Sequence, residues 1–362
     1  MNARPRNLPV GKLPADLLAK LVGRFESKDP RVVVGPGVGL DCAVVRFGER
    51  LLVLKSDPIT FAADEIGYYL VQVNANDIAT TGAQPRWLLL TMLLPEGNTS
   101  AKSVERITEQ VQTACSEIGV TIIGGHTEIT HGLKRPILVG TLIGEVKGRH
   151  LVTPRGARPG DRLLLTKGVP IEATAILARE FPERLARVLN AAELREARAF
   201  LHKPGISVVR DVRIALRAGQ VTAMHDPTEG GLAMALWELA EASGRRVCFE
   251  SSAVPVPPLS ARVCRSLGLD PLRAIASGAL LLTTPKKDAR NIQRALESEG
   301  ISCAEIGWIE RGPAGVWEIS RGKRSRLYPP ARDEIARFFE STRKQRSKHE
   351  PDYRKNRKAR RH

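Results

Sequence analysis

Asp41, Asp57 and Asp77 are carboxylates scattered over the first quarter of a 362-residue chain, each beside apolar neighbours. Oxygen ligands spaced across a domain, on separate strand and helix ends, are what a hard cation such as magnesium takes once the fold gathers them, with phosphate oxygens and waters completing the shell. Asp77 closes the run Val73-Asn74-Ala75-Asn76-Asp77, which puts two carboxamides and a carboxylate inside a segment, Ile66 to Ala83, that is otherwise apolar at helical spacing. A carboxylate there needs a hydrogen-bond network or a cation. Two further polar clusters are Gly124-Gly125-His126-Thr127-Glu128 and His225-Asp226-Pro227-Thr228-Glu229-Gly230-Gly231, and they make His126, Asp226 and Glu229 the candidates for catalysis. Glycines at Gly37 to Gly39 and Gly230-Gly231 have the form of turns that let backbone N–H groups approach phosphate. No GxxxxGK[ST] is present, which excludes a Walker nucleotide site, and no GxGxxG falls in a strand-helix unit.

Each cluster also has a plainer reading. Asn74 and Asn76 can bridge neighbouring backbone while Asp77 meets an arginine. Asp226 has the form of an N-cap, with Pro227 at the first helical position and Glu229 completing a capping box. His126 can hydrogen-bond a strand end, and Asp57 before Pro58 can close a turn.

The elements that must position these residues follow from periodicity and breakers. An opening helix (14–25) leads to a short strand at 32–34 and the glycine turn. Strands follow at 42–46 and 51–56, then a helix over 64–82, a strand at 87–94 and a helix from Ser103 to Ile118 ended by Gly119. A strand at 120–123 closes on the Gly124-Gly125 turn, and 137–146 reads as another strand. Turn formers from Thr153 to Asp161 mark a junction, after which the mixed pattern resumes with strands at 162–167, 221–225, 247–250, 279–284 and 304–309 and helices between them. The fold class is α+β or α/β in two domains: a helical lead (1–29), an N-terminal domain (30–150), a C-terminal domain (151–330) and a basic tail (331–362) expected to lack order from 341.

Composition sets outer limits. With 42% apolar and 26% charged residues the chain has ordinary globular composition, and no apolar stretch approaches a membrane span. Nothing at the N-terminus resembles a signal peptide, so a cytoplasmic location and no membrane contact are expected. The five cysteines lack CxxC spacing and sit mostly among apolar neighbours, as reduced core thiols do. Of the net charge of +17, the segment 341–362 carries ten Lys/Arg against two acids, a net of +8, leaving +9 for the rest. Such a tail attracts RNA or any other polyanion by counterion release, and it also serves simple solubility.

Read in order, Gly39-x-Asp41-x-Ala43-Val44-Val45, Lys55-Ser56-Asp57, Val73-Asn74-Ala75-Asn76-Asp77-Ile78-Ala79-Thr80-Thr81-Gly82-Ala83-x-Pro85 and Gly124-Gly125-His126-Thr127 resemble the AIR synthetase (PurM-like) superfamily. Gly156-Ala157-Arg158-Pro159-Gly160-Asp161 and Asp226-Pro227-Thr228-x-Gly230-Gly231-Leu232-Ala233 look like its HypE branch, over about residues 30 to 310. The resemblance implies an AIR-synthetase-like fold whose N-terminal domain pairs across a homodimer into a β-barrel, with an α/β C-terminal domain packed on it. It implies ATP with magnesium in the cleft between them. By position, Asp41, Asp57 and Asp77 would hold magnesium, and Gly39, Asn74, Asn76, Gly124, Gly125, Thr127, Gly230 and Gly231 would bind the nucleotide. Such enzymes use ATP to activate an amide, a thioamide or a phosphate acceptor, small-molecule or protein-borne. The alternatives are a small-metabolite kinase similar to thiamine-monophosphate kinase, and a catalytically weak nucleotide-binding scaffold with an RNA-attracting tail. The chain departs from the pattern at Leu40, where relatives commonly carry an acid, at His126, where Asp is usual, and at Ala276-Ser277-Gly278, where HypE has Asn-Glu-Gly. The sequence ends Arg357-Lys358-Ala359-Arg360-Arg361-His362, without the terminal cysteine on which HypE acts, so its dehydration of a carbamoylated terminal cysteine is not expected here in that form.

Overall fold

A computed structural model describes residues 8, 13–25, 28–37, 39–60, 64–146 and 151–349. Two sheets organise it. The first has strands β1 (Val32–Val34), β2 (Ala43–Phe47), β3 (Arg50–Ile59), β4 (Gln84–Pro95), β5 (Thr121–Thr130) and β6 (Ile137–Val146) in the order β1-β2-β3-β6-β4-β5. Its helices are α1 (Ala15–Val22), α2 (Ile66–Thr80) and α3 (Ala101–Ile118). In β6 the burial alternates residue by residue, with Leu138 and Leu142 on the core face and Gly140 and Gly144 between and beyond them. A Cβ on Gly140 would stand 2.9 Å from Asn74 Nδ2, and one on Gly144 would stand 2.3 Å from Ile78 Cγ2. These two glycines let α2 lie directly on the sheet. Ile66, Leu70, Val71 and Ile78 of that helix are almost wholly removed from water, each contributing roughly 1.5–3 kcal/mol.

The second sheet has β7 (Arg162–Thr166), β8 (Ala223–His225), β9 (Arg246–Glu250), β10 (Leu281–Thr284), β11 (Cys303–Glu310), β12 (Gly315–Ser320) and β13 (Lys323–Leu327) in the order β13-β12-β9-β11-β7-β10-β8. Around it are α4 (Ile171–Glu180), α5 (Pro182–Leu185), α6 (Ala191–Ala199), α7 (Val209–Ala218), α8 (Gly231–Ser243), α9 (Pro258–Leu267), α10 (Lys286–Ser298) and α11 (Glu334–His349). Helix α8 packs with Val247, Phe249 and Leu165 on one face of the sheet, while α7 and α10 cover Leu164, Leu282 and Met224 on the other. A third apolar cluster runs from α2 and α3 into α4, α6 and α9, so the two halves share one core across their seam.

Most expected elements are present, with several corrections. Ser100, not Ser103, caps α3, through a reciprocal pair in which Ser103 N–H donates to Ser100 Oγ and Ser100 N–H donates to Ser103 Oγ. The Gly124-Gly125 turn is instead the middle of β5. Both glycines have positive φ there, and a Cβ on Gly125 would fall 1.7 Å from the Leu90 carbonyl oxygen, so the pair allows an irregular, close pairing with β4. Asp226 is not a helix cap: α8 begins five residues later, at Gly231, with Gly230 in the left-handed cap position. The segment expected to lack order from 341 is helical through His349, and residues 350–362 lie outside those described, as does Val38 of the first glycine turn. All five cysteines are buried thiols. Among the described residues no helix is long and apolar enough to cross a membrane.

Candidate functional site

The seam gathers carboxylates from both halves. β3 supplies Asp57, α2 supplies Asp77, the loop before β2 supplies Asp41, and the residue after β8 is Asp226. Lys55 Nζ lies 3.1 Å from Asp57 Oδ2 and 2.9 Å from Asp77 Oδ2. Exposure grades inward: the side chains of Asp57 and Asp41 are 36% and 28% exposed, those of Asp77 and Asp226 3% and 0%. Asp57 and Asp41 therefore form a mouth and Asp77 and Asp226 a floor. His225 Nδ1 faces Asp41 at 3.7 Å and Asp226 at 3.9 Å, while its Nε2 is 2.8 Å from Glu238 Oε2 on α8.

Electrostatically the cluster is short of positive charge. Burial, then the charges of Asp226, Asp41 and Asp57, push the Asp77 carboxyl well above its ordinary value despite Lys55. Burial opposes the charge of Lys55, but Asp77, Asp41 and Asp57 outweigh it and hold the ammonium pKa well above its usual range. Burial likewise raises Asp226, whose two carboxylate oxygens have no hydrogen-bond partner. Two orphaned oxygens on a floor of hard donors fit a hard cation. A recess of about 20 Å³ beside Asp41, Asp77, Thr153 and Met224 has room for an ion or a water. Among the described residues no three metal-ligating side chains converge closely enough to make a complete site, so a cation here would draw further ligands from its nucleotide and from water.

The sequence candidates divide. Asn74 accepts from the Asp57 N–H at 3.0 Å and donates to the Leu70 and Asp57 carbonyls, fixing β3 against α2 rather than facing open space. Asn76 has both ends of its carboxamide engaged across the seam, donating to Ile206 O and accepting from Val208 N–H, each at 2.8 Å. Gly39 packs on α8, where a Cβ would stand 3.0 Å from Glu238 O. The Gly230 N–H donates to Asp333 Oδ2 at 2.7 Å, so in this conformation the chain's own carboxylate occupies the Gly230-Gly231 turn. Gly124, Gly125, His126 and Thr127 lie in β5, separated from β3 by β6 and β4, or about 14 Å at the usual strand spacing. There His126 is exposed and pairs with Glu128. Glu229 adds its charge to those that raise Glu172 and Asp333.

Sequence reasoning did not assign Lys55 or Glu172. Lys55 stands two residues before Asp57 in β3, hence on the same strand face, which is the signal that pairs them. Glu172 is a carboxylate in an apolar run, Val169-Pro170-Ile171-Glu172-Ala173, the same signal that marks Asp77.

Two sheets joined at an acid-lined seam define the class, and comparison with known proteins agrees. The N-terminal domain of AIR synthase related proteins matches residues 39–146 and the C-terminal domain matches 158–319. The chain belongs to this family. Within it the chain stands with the HypE branch: it is 32% identical over 259 residues to the carbamoyl dehydratase HypE of Cupriavidus necator, covering 70% of each chain. It is 28% identical over 296 residues to a putative hydrogenase expression/formation protein of Methanocaldococcus jannaschii, covering 78% of this chain and 84% of the other. A crystal structure of the hydrogenase maturation protein HypE in complex with ATP superposes with a TM-score of 0.65 at 26% identity, covering 84% of this chain and 90% of that one.

Proposed function

We propose that this protein is an ATP-using, magnesium-dependent enzyme of HypE type, with ATP and magnesium held at the seam between the two sheets. The observation that carries this reading is the gathering of four carboxylates, Asp57 and Asp77 on Lys55 and Asp41 and Asp226 facing His225, with neither Asp226 oxygen hydrogen-bonded. Asp41, Asp57 and Asp77 would hold the metal, with Asp226 below them, and since no three such side chains converge in this conformation among the described residues, they would have to draw together on the ion as it binds. When bound, magnesium neutralises phosphate charge and orients the triphosphate. Until then Lys55 bridges the Asp57 and Asp77 carboxylates, opposing the burial that raises Asp77, and Asn74 fixes the backbone of Asp57 against α2. ATP in such a site turns a poor leaving oxygen on a second substrate into phosphate. The acceptor is an amide, carbamoyl, thioamide or phosphate group, and the HypE relatives, named carbamoyl dehydratases, favour the carbamoyl type. A second copy of the chain is the expected partner. The exposed edge strand β5, with Ile122, Ile123 and Ile129 open to solvent, supports a homodimer.

Calorimetry of ATP binding with and without magnesium tests the reading. Magnesium-dependent binding is expected, weakened on the order of 100-fold by Asp57→Asn, since even the outer-shell partners of metal ligands typically cost about 10–100-fold when lost. Binding absent, or indifferent to Asp57→Asn and to magnesium, overturns it. Phosphate released to solvent, rather than appearing on an acceptor, separates this chemistry from that of a small-metabolite kinase.

A further inference from the structure

The second sheet is covered unevenly. Paired residues share a face, and successive residues on a strand alternate between faces. On β12, Val316 packs toward α8 and Trp317 turns to the other side. The register of the neighbouring strands puts Arg246, Trp308, Glu310, Arg324 and Arg326 on the side of Trp317. Beneath α7 and α10 on that side, the apolar cluster draws on Leu164, Met224 and Leu282 of β7, β8 and β10 and on no residue of β9, β12 or β13. Among the described residues, these three strands therefore share a helix-borne core on the α8 face alone.

What stands on the open side is aromatic and basic. The guanidinium carbons of Arg324 and Arg246 lie 5.1 and 5.6 Å from the centre of the Trp317 ring. Glu310 ties the group together: it pairs with Arg324 at 2.7 Å, lies 3.7 Å from Arg246 and accepts from the Trp308 indole N–H at 2.9 Å. Past the end of β13, Arg326 repeats the contact over Tyr328, 5.3 Å from the ring centre, and Tyr328 is 64% exposed. The segment 311–328 carries Arg311, Arg321, Lys323, Arg324 and Arg326 against the single acid Glu318, which alternation turns to the α8 face. Rings fixed by guanidinium groups and bordered by further positive charge are what stacks unpaired bases and tracks a phosphate backbone.

We propose that this face binds single-stranded RNA. Bases stack on the exposed rings and guanidinium planes, and the surrounding cations meet phosphates with release of counterions. A duplex hides its base faces and keeps only the electrostatic part of this attraction. A protein partner fits less well, because the core of such an interface is depleted of charge, whereas guanidinium groups border Trp317 and Tyr328 here. Glu250, exposed on the same face opposite Ile319, favours ribose: its carboxylate accepts from a 2′-hydroxyl, and beside deoxyribose it meets only phosphate charge. The face lies at the far edge of the sheet from β8, so the proposal does not depend on what the seam binds.

Fluorescence anisotropy of the full-length protein with a labelled oligouridylate, read across a salt series, tests the proposal. Binding that weakens as salt rises is expected. Trp317→Leu should weaken it on the order of tenfold, as loss of one stacking ring gives. Arg326→Gln should lower the slope of log K against log salt by about 0.7, the share of one charge on a single strand. An oligodeoxyuridylate of the same length and an RNA duplex should both bind more weakly. Thermal midpoints check folding, and because Arg326 is exposed, its variant decides the matter should Trp317→Leu not fold. Four results each overturn the proposal: no binding by wild type; both variants matching wild type, which assigns the binding to the basic segment 341–362; deoxy strand or duplex binding as tightly as the RNA; and displacement by polyglutamate as effective as by unlabelled RNA.

Discussion

Two faces of one helix solve the problem of buried polarity differently. Toward β3, α2 carries Asp77, set against a lysine at 2.9 Å and crowded by further carboxylates. Toward the second half it carries Tyr69, Gln72 and Asn76, neutral groups of which one is fully engaged and two retain unpartnered atoms. The charged face holds together through ion pairing and is short of positive charge, which suits a cation. The neutral face holds together through hydrogen bonds across the seam, those of Asn76 to Ile206 and Val208 above all. Buried polarity is thus offset by charge on one side of a single element and by hydrogen bonds on the adjacent side.

The strongest way to break this contrast is Lys55→Met. Removing the partner from a buried carboxylate costs about 3–5 kcal/mol, so the variant should melt well below wild type in denaturant or thermal scans. Magnesium should restore part of the loss if the charged face accepts a cation; a midpoint indifferent to magnesium removes that half of the comparison. Asn76→Leu comes next. It leaves Ile206 O and Val208 N–H without partners and should cost roughly 2–6 kcal/mol, at 1–3 for each orphan. Hydrogen exchange should locate the loss at the seam rather than within either sheet.

Glu172→Gln has the smallest and most pH-dependent effect. The folded carboxyl titrates near 7 against 4.5 for the ordinary group. The folded state holds its proton more tightly, so its stability is greatest below the unfolded pKa and falls as pH rises from about 4.5 to 7. The full difference amounts to about 3 kcal/mol by linkage. The Gln variant should match wild type near pH 5 and exceed it near pH 8. Parallel pH profiles in denaturant unfolding contradict a Glu172 whose burial outweighs its hydrogen bond from Ser277.

Much of this was legible in the chain. The α2 segment, the alternation of β6 and the strands around Asp57 follow from apolar periodicity, because burying one face leaves a repeat of 3.6 or 2 in the sequence. Asp77 stands out because a carboxylate in an apolar helix needs a network or a cation, and its partner is Lys55 rather than the arginine of the plainer reading. The glycine pairs were less readable. Gly124-Gly125 and Gly230-Gly231 look alike in sequence, yet one lies within an edge strand and the other takes an Asp333 carboxylate from a segment a hundred residues on. Glycine permits a backbone conformation without naming which one.

The sequence by itself determined the elements, the family and the set of acids, since these depend on local pattern and on residue identity. Tertiary structure alone decided which groups meet. Only the packing of α2 on β3 shows that Lys55 serves both Asp57 and Asp77, and only the packing of the two halves shows that Asn76 is committed to the seam and that Glu172, 103 positions from Tyr69, acts on its phenol. The physical reason is that desolvation and pairing are properties of places in the fold, fixed by which surfaces come together and invisible in the order of residues along the chain.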